Sequence, residues 1–204
     1  MYKRLKIGVL ALQGDFERHL SQLAALGIAG QEVRLSENLY GLDGLIIPGG
    51  ESTAMNNLID RFSMRQELVS FVKDKAVWGT CAGMIMLASD VNDPRIKPLK
   101  AINISVIRNG YGRQVFSFFA DVSLDLDNNK VTVPASFIRA PIVNKFGPEV
   151  SVLARHETRP ILLSHKNCLV SSFHTELHDD KTLLKYFLDT FVMPIQVSQS
   201  NLER

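Results

Sequence analysis

The chain has 204 residues, 46% of them hydrophobic, and 23 basic against 21 acidic side chains, for a formal net charge of +2. Such a length and apolar content exclude a disordered chain and suffice for one α/β domain with a sizeable core. The near-balanced charge, with no basic stripe, argues against a nucleic-acid binder, and no apolar run is long enough to span a membrane.

In chain order, Lys6–Leu12 (KIGVLAL) reads as a buried strand. Phe16, Leu20, Leu23 and Leu26 recur at helical spacing and predict a helix over Asp15–Leu26, closed by Gly27 and Gly30. A short strand is expected at Gln31–Leu35 and a buried one at Gly44–Ile47, cut by Pro48-Gly49-Gly50. Ser52 is the expected cap of a helix reaching Phe62, and a second helix covers Met64–Lys73. A strand at Ala76–Trp78 leads into a helix over Gly83–Ala88. Strands alternating with helices at this spacing imply a parallel sheet covered on both faces.

From Ala101 to Phe173 the pattern turns strand-rich. Strands are expected at Ile102–Ile107, Val115–Phe119, Val131–Ile138, Val150–Ala154, Ile161–Ser164 and Cys168–Phe173, added antiparallel to the sheet. A last helix over Asp180–Phe191 returns to the core. The expected fold is therefore three-layer α/β, a mixed and mostly parallel sheet flanked by helices. One domain should cover residues 1–193, with a polar, disordered tail at 194–204.

The apolar stretch Ile7–Leu12 is too short for a signal peptide. The two cysteines, Cys81 and Cys168, form neither a disulfide framework nor a zinc spacing, so no metal is expected and a cytoplasmic location is.

The sharpest local signal is Gly79-Thr80-Cys81-Ala82-Gly83 between an apolar strand and an apolar helix. It is the cysteine form of the nucleophile elbow, a crowded turn whose flanking small residues relieve clashes. A lone cysteine is more often a small buried residue; this setting favours a nucleophile, helped toward thiolate by a helix N-terminus. Among the five histidines, only His174 follows a strand-like run and has a carboxylate two residues on, Glu176. In extended chain those two side chains share a face, so Glu176 can orient the ring and leave Nε2 for the thiol. His19 lies in the first helix and reads as a surface or interface residue, while His156, His165 and His178 sit in polar contexts without an assigned role. Pro48-Gly49-Gly50-Glu51-Ser52 follows a strand and opens a helix, which suits an oxyanion hole built from the N–H groups of Gly50 and Ala82. Alone, a Pro-Gly-Gly segment is an ordinary strand–helix turn.

Taken together, these segments resemble the class I glutamine amidotransferases, and within them the glutaminase subunits of pyridoxal 5′-phosphate synthase. The matching pieces are GVLALQGDF (Gly8–Phe16), LIIPGGEST (Leu45–Thr53), WGTCAG (Trp78–Gly83), RNGYGRQ (Arg108–Gln114) with Ser117-Phe118, FIRAP (Phe137–Pro141) and SFHTEL (Ser172–Leu177). They run in family order over nearly the whole chain. The resemblance implies that Cys81, His174 and Glu176 form the triad. It implies that Gly49, Gly50 and Glu51 contact glutamine, with Arg108, Ile138 and Arg139 at further glutamine-site positions. It places Gln13 near the contact with a synthase subunit.

The implied activity is hydrolysis of L-glutamine to glutamate and ammonia, without a metal or organic cofactor. The implied partner is a separate synthase subunit, in a large hetero-oligomer, that makes pyridoxal 5′-phosphate. Many relatives have proline between the histidine and the glutamate, where this chain has Thr175. Three alternatives stay open: a glutaminase serving another synthase, a γ-glutamyl hydrolase or cysteine peptidase, and an inactive scaffold.

Overall fold

The structure, a computed structural model, describes residue 2, residues 4–108 and residues 117–195. Its main sheet has seven strands: β1 (Ile7–Leu10), β2 (Gln31–Val33), β3 (Gly44–Ile47), β4 (Ala76–Thr80), β10 (Ser151–His156), β11 (Arg159–His165) and β12 (Cys168–Ser171). Their spatial order is β10-β11-β12-β4-β3-β1-β2. The five strands from β12 to β2 are parallel, whereas β10 and β11 are antiparallel additions at one edge. The parallel strands are near-continuous apolar runs because both faces are covered. Alternation divides them: Leu45, Ile47, Val77 and Val170 pack on one side, Ile46, Ala76, Trp78 and Leu169 on the other.

The first side is covered by α2 (Ser52–Arg61), α3 (Arg65–Asp74) and α4 (Ala82–Leu87), whose Met55, Ile59, Leu68 and Met84 fill it. The second is covered by α1 (Phe16–Ala25) and α5 (Thr182–Phe187), with Leu23, Leu183 and Phe187 inside. The chain continues from α5 through a π-helical turn at Leu188–Val192. Pro194 and Ile195 are described, and the rest of the expected tail lies outside the described residues.

Three expectations need correction. The strand-rich segment does not all join the main sheet. β5 (Ala88–Val91), β6 (Ile102–Ile107) and β9 (Ile142–Phe146) make a separate three-stranded sheet, and β7 (Ser117–Leu126) pairs with β8 (Asn129–Ile138) as an isolated hairpin. That hairpin is longer than its apolar residues suggest. Asp127 and Asn128, with φ of +51° and +66°, form a two-residue turn of the kind that matches strand twist. Second, β12 stops at Ser171, and His174 instead forms a single bridge with Ser136 on β8. Third, Glu51, not Ser52, caps α2: its carboxylate accepts the N–H groups of Thr53 and Ala54 at 3.0 and 2.6 Å. No helix among the described residues is long and apolar enough to cross a membrane.

Candidate active site

The carboxyl ends of β3, β4 and β12 lie side by side, with Ile47 paired to Gly79 and Ser171 to Thr80. The loops leaving these strands carry Gly49 and Gly50, Cys81, and His174 with Glu176. Ligands in open α/β sheets collect at this edge.

Cys81 sits between β4 and α4 with φ +48° and ψ −99°, a conformation costing on the order of 1–3 kcal/mol for a residue with a side chain. Its N–H donates to the Ser171 carbonyl at 2.8 Å, which pins the turn to the neighbouring strand. The flanking glycines have a steric reason. A Cβ on Gly83 would fall 2.0 Å from the Ile47 carbonyl oxygen, and one on Gly79 would fall 2.5 Å from the Gly83 backbone. The Cys81 sulfur lies 3.8 Å from the Ile138 carbonyl and lines one cleft with the His174 ring. Cys168 is packed in the core, where burial pushes its thiol well above the usual range and leaves it inert.

His174 and Glu176 are both buried, at 4% and 3% exposure. The backbone of His174 exchanges two hydrogen bonds with Ser136, at 2.9 and 3.0 Å, so the hairpin arm β8 fixes the ring's position. Its Nδ1 lies 2.6 Å from Glu176 Oε1, a charge-assisted hydrogen bond in which Nδ1–H donates. Burial alone would lower the His174 pKa, but its hydrogen bonds with Cys81 and Glu176 outweigh that and push it up to about 10. Burial alone would raise Glu176, yet the charge of His19 and the hydrogen bond from His174 hold it well below the usual carboxylate range. The arrangement is a buried imidazolium–carboxylate pair facing a sulfur, suited to moving a proton during attack on a carbonyl.

His19 is not a surface residue: it is 1% exposed, with Nε2 3.5 Å from Glu176 Oε1 and 3.4 Å from Thr80 Oγ1. It lies on the apolar stripe of α1, three residues after Phe16 and four before Leu23, and only its polar ring hid it. Gln22, one turn on, was also missed. Both are buried polar residues on one face of α1, a spacing visible in the sequence only once the helix is known to meet a polar loop.

The Pro48–Glu51 loop forms the opposite wall. Gly49 packs against the imidazole, where a Cβ would fall 2.2 Å from His174 Cε1. Its carbonyl accepts the Asp15 N–H at 3.2 Å, and a Cβ on Gly14 would fall only 1.8 Å from that oxygen. The Gln13 side-chain oxygen accepts the Glu51 N–H at 2.7 Å. The segment 13–15 thus cradles the loop bearing Gly50, while Ala82 opens α4 beside Cys81.

Glu51 and Arg108 line the cleft but are bound to each other. Arg108 donates to Glu51 Oε1 and Thr53 Oγ1, both at 2.9 Å, and to Asp93. Burial would raise the Glu51 carboxyl, but the Thr53 and Ala54 N–H groups and Arg108 hold it below its ordinary value. Arg139, with φ +46°, is exposed at the end of β8 and lines the same cleft as Gly50, Cys81, Ile138 and His174. Asn109–Gln114, the rest of the RNGYGRQ block, lie outside the described residues. The cleft holds about 200 Å³, less than the roughly 300–1,000 Å³ that takes drug-sized ligands, and suits one amino acid.

The family model described as SNO glutamine amidotransferase family matches residues 9–193. The chain belongs to that family. A relative in Listeria innocua, named pyridoxal 5′-phosphate synthase subunit PdxT, is 40% identical over 188 residues, covering 92% of this chain and 99% of its own. A protein of the same name from Dehalococcoides mccartyi is 46% identical over 189 residues, covering 90% and 96%. A crystal structure of a glutamine amidotransferase superposes with a TM-score of 0.84 at 42% identity, covering 90% of this chain and 97% of the other.

Proposed function

We propose that the chain hydrolyses L-glutamine to L-glutamate and ammonia, and passes the ammonia to a separate synthase subunit that makes pyridoxal 5′-phosphate. Cys81 is the nucleophile, His174 the proton carrier and Glu176 its orienting carboxylate. The sulfur attacks the side-chain amide carbon, and the N–H groups of Gly50 and Ala82 receive the oxyanion. A His174 whose pKa is raised to about 10 already holds at neutral pH the proton that the leaving ammonia needs. Loss of ammonia gives a thioester; His174 then deprotonates water, which attacks the thioester and frees glutamate and Cys81. Exposed Arg139 suits the α-carboxylate of glutamine, because Arg108 is committed to Glu51 and Asp93.

The domain responsible is assigned to residues 1–193, working in the cytoplasm within a hetero-oligomer. Gln13 is the link to the partner: it is partly exposed, and its amide oxygen holds the loop that carries Gly50. A docked synthase selects the loop state with both donors aimed at one point, so the chain alone is a poor glutaminase.

The observation that carries this reading is the 2.6 Å His174–Glu176 bond in one cleft with Cys81 at the strand ends. The test is glutamine hydrolysis by the full chain with its synthase subunit. Cys81→Ser should lower turnover by at least about a thousandfold without unfolding the chain. A diazo-ketone analogue of glutamine should label Cys81 and spare Cys168. Labelling at Cys168, or a Cys81→Ser protein of unchanged turnover, would overturn the assignment.

A further inference from the structure

We infer that His19 is a positioning residue for the Glu176 carboxylate, a fourth member behind Cys81, His174 and Glu176; the inference rests on the glutaminase reading. Glu176 Oε1 lies between two imidazoles, 2.6 Å from His174 Nδ1 and 3.5 Å from His19 Nε2. Both nitrogens approach the same oxygen, so a proton on His19 Nε2 pulls the carboxylate into the one rotation that serves His174. Glu176 Oε2 is buried and, among the described residues, has no hydrogen-bond partner. Among the described residues, no hydrogen bond on that oxygen holds the group in place. The charged residues on the outer side of Glu176 are Arg18, Asp179 and Lys181, lining a recess of about 140 Å³ that Glu176 also reaches. Without His19, the bond from His174 is left alone to orient the carboxylate against the pull of Arg18 and Lys181, which line the recess on its other side.

A histidine kept only for packing would be poorly placed here. Its Nδ1 is buried without a hydrogen-bond partner among the described residues, which is costly for a group with no other task. The ring is held edge-on to Trp78, with centroids 5.5 Å apart at 82°, and Nε2 also reaches the Thr80 hydroxyl, one residue before Cys81. The rest of α1 is fastened to the same loop. Gln22 shares its Nε2 donors among the carbonyls of Thr175, His178 and Asp180 at 3.3, 3.1 and 3.0 Å. α1 therefore grips the loop backbone with Gln22 and sets His19 Nε2 3.5 Å from the loop's carboxylate.

The test compares the full-length parent with His19→Gln, His19→Asn and His19→Leu, each assayed with its synthase subunit. Glutamine places an N–H near the position of Nε2, asparagine is too short to reach, and leucine has no donor. His19→Asn and His19→Leu should lose at least about tenfold in kcat with KM changed less than about twofold, while His19→Gln stays within about threefold of the parent. Iodoacetamide alkylation of Cys81 gives a second readout that needs no glutamine. A displaced Glu176 stabilises the imidazolium less, so the midpoint of alkylation against pH should move upward in His19→Asn and His19→Leu but not in His19→Gln. If His19→Leu does not fold, His19→Asn carries the same expectation. Parent-like kcat and alkylation in His19→Asn, or a His19→Gln protein as impaired as His19→Asn, would overturn the inference. A parent that alkylates at Cys81 yet never hydrolyses glutamine would instead overturn the glutaminase reading, with the alkylation midpoints still deciding the role of His19.

Discussion

The two walls of the cleft are built in different ways. On one, His174 and Glu176 are almost fully buried, joined at 2.6 Å, and braced by β8, α1 and the ring of Trp78. On the other, the Gly49-Gly50 loop is a glycine pair held by hydrogen bonds with the half-exposed segment 13–15. A wall packed from side chains of several elements has one low-energy arrangement. A wall of glycine backbone has several, and a few bonds decide among them. The half carrying His174 and Glu176 is thus packed in place, and on the proposed reading the glycine half is where a partner would exert control.

The largest expected effect tests the rigid wall. Glu176→Gln should lower kcat by about a thousandfold with KM changed less than about threefold, because the carboxylate matters most when His174 is charged. Unchanged turnover in steady-state assays would reduce the triad to a pair. Next is the point where the walls touch. Gly49→Ala would put a methyl 2.2 Å from His174 Cε1, and a shift of that size should cost about a hundredfold in turnover. Near-parent activity there would mean that the loop yields freely.

Gln13→Ala then tests the adjustable wall alone. It removes the acceptor of the Glu51 N–H, worth about 0.5–1.5 kcal/mol or roughly two- to tenfold. Partner-stimulated turnover should fall by that factor and the basal rate by less; the reverse pattern would place Gln13 in the chemistry.

The smallest effect is on stability. Glu176 has a depressed pKa in the folded chain, so its contribution is present above its unfolded value of about 4.3 and lost as pH falls through the folded one. His174 is raised to about 10, so its contribution is complete below about 6.5 and lost as pH rises through the raised value. The gap in melting temperature between the parent and Glu176→Gln should be widest between about pH 4.3 and 6.5, close progressively as pH falls below that window, and narrow progressively as pH rises from about 6.5 to about 10. A gap insensitive to pH would mean that the pair adds nothing to folding.

The same contrast governs how much could be read from the sequence. β3 and β4 were legible because strands buried on both faces leave unbroken apolar runs, and Gly79-x-Cys81-x-Gly83 was legible as a local pattern of small residues, although only Gly79 answers to a clash within the turn and Gly83 answers to the Ile47 carbonyl on β3. The His174–Glu176 pairing needed only a two-residue spacing. His19, Gln22 and the clamp from Gln13 to Glu51 were not legible, since each depends on a contact between segments 38 or more residues apart. The Glu51 cap was missed because a nearby serine is the commoner capping residue, while Glu51 also gains Arg108 from β6's far end. β9 was missed because its middle and end, Asn144 to Phe146, mix polar and exposed residues.

The most direct test of the two-wall account is the rate at which iodoacetamide alkylates Cys81 with and without saturating synthase subunit, at fixed pH and salt. Alkylation depends on the sulfur and its imidazolium but not on the oxyanion donors. The rate should stay within about twofold when the partner binds, while glutamine turnover by the same samples rises at least about tenfold. Alkylation that climbs in step with turnover would contradict the account, because the partner would then be assembling the Cys81–His174–Glu176 wall as well.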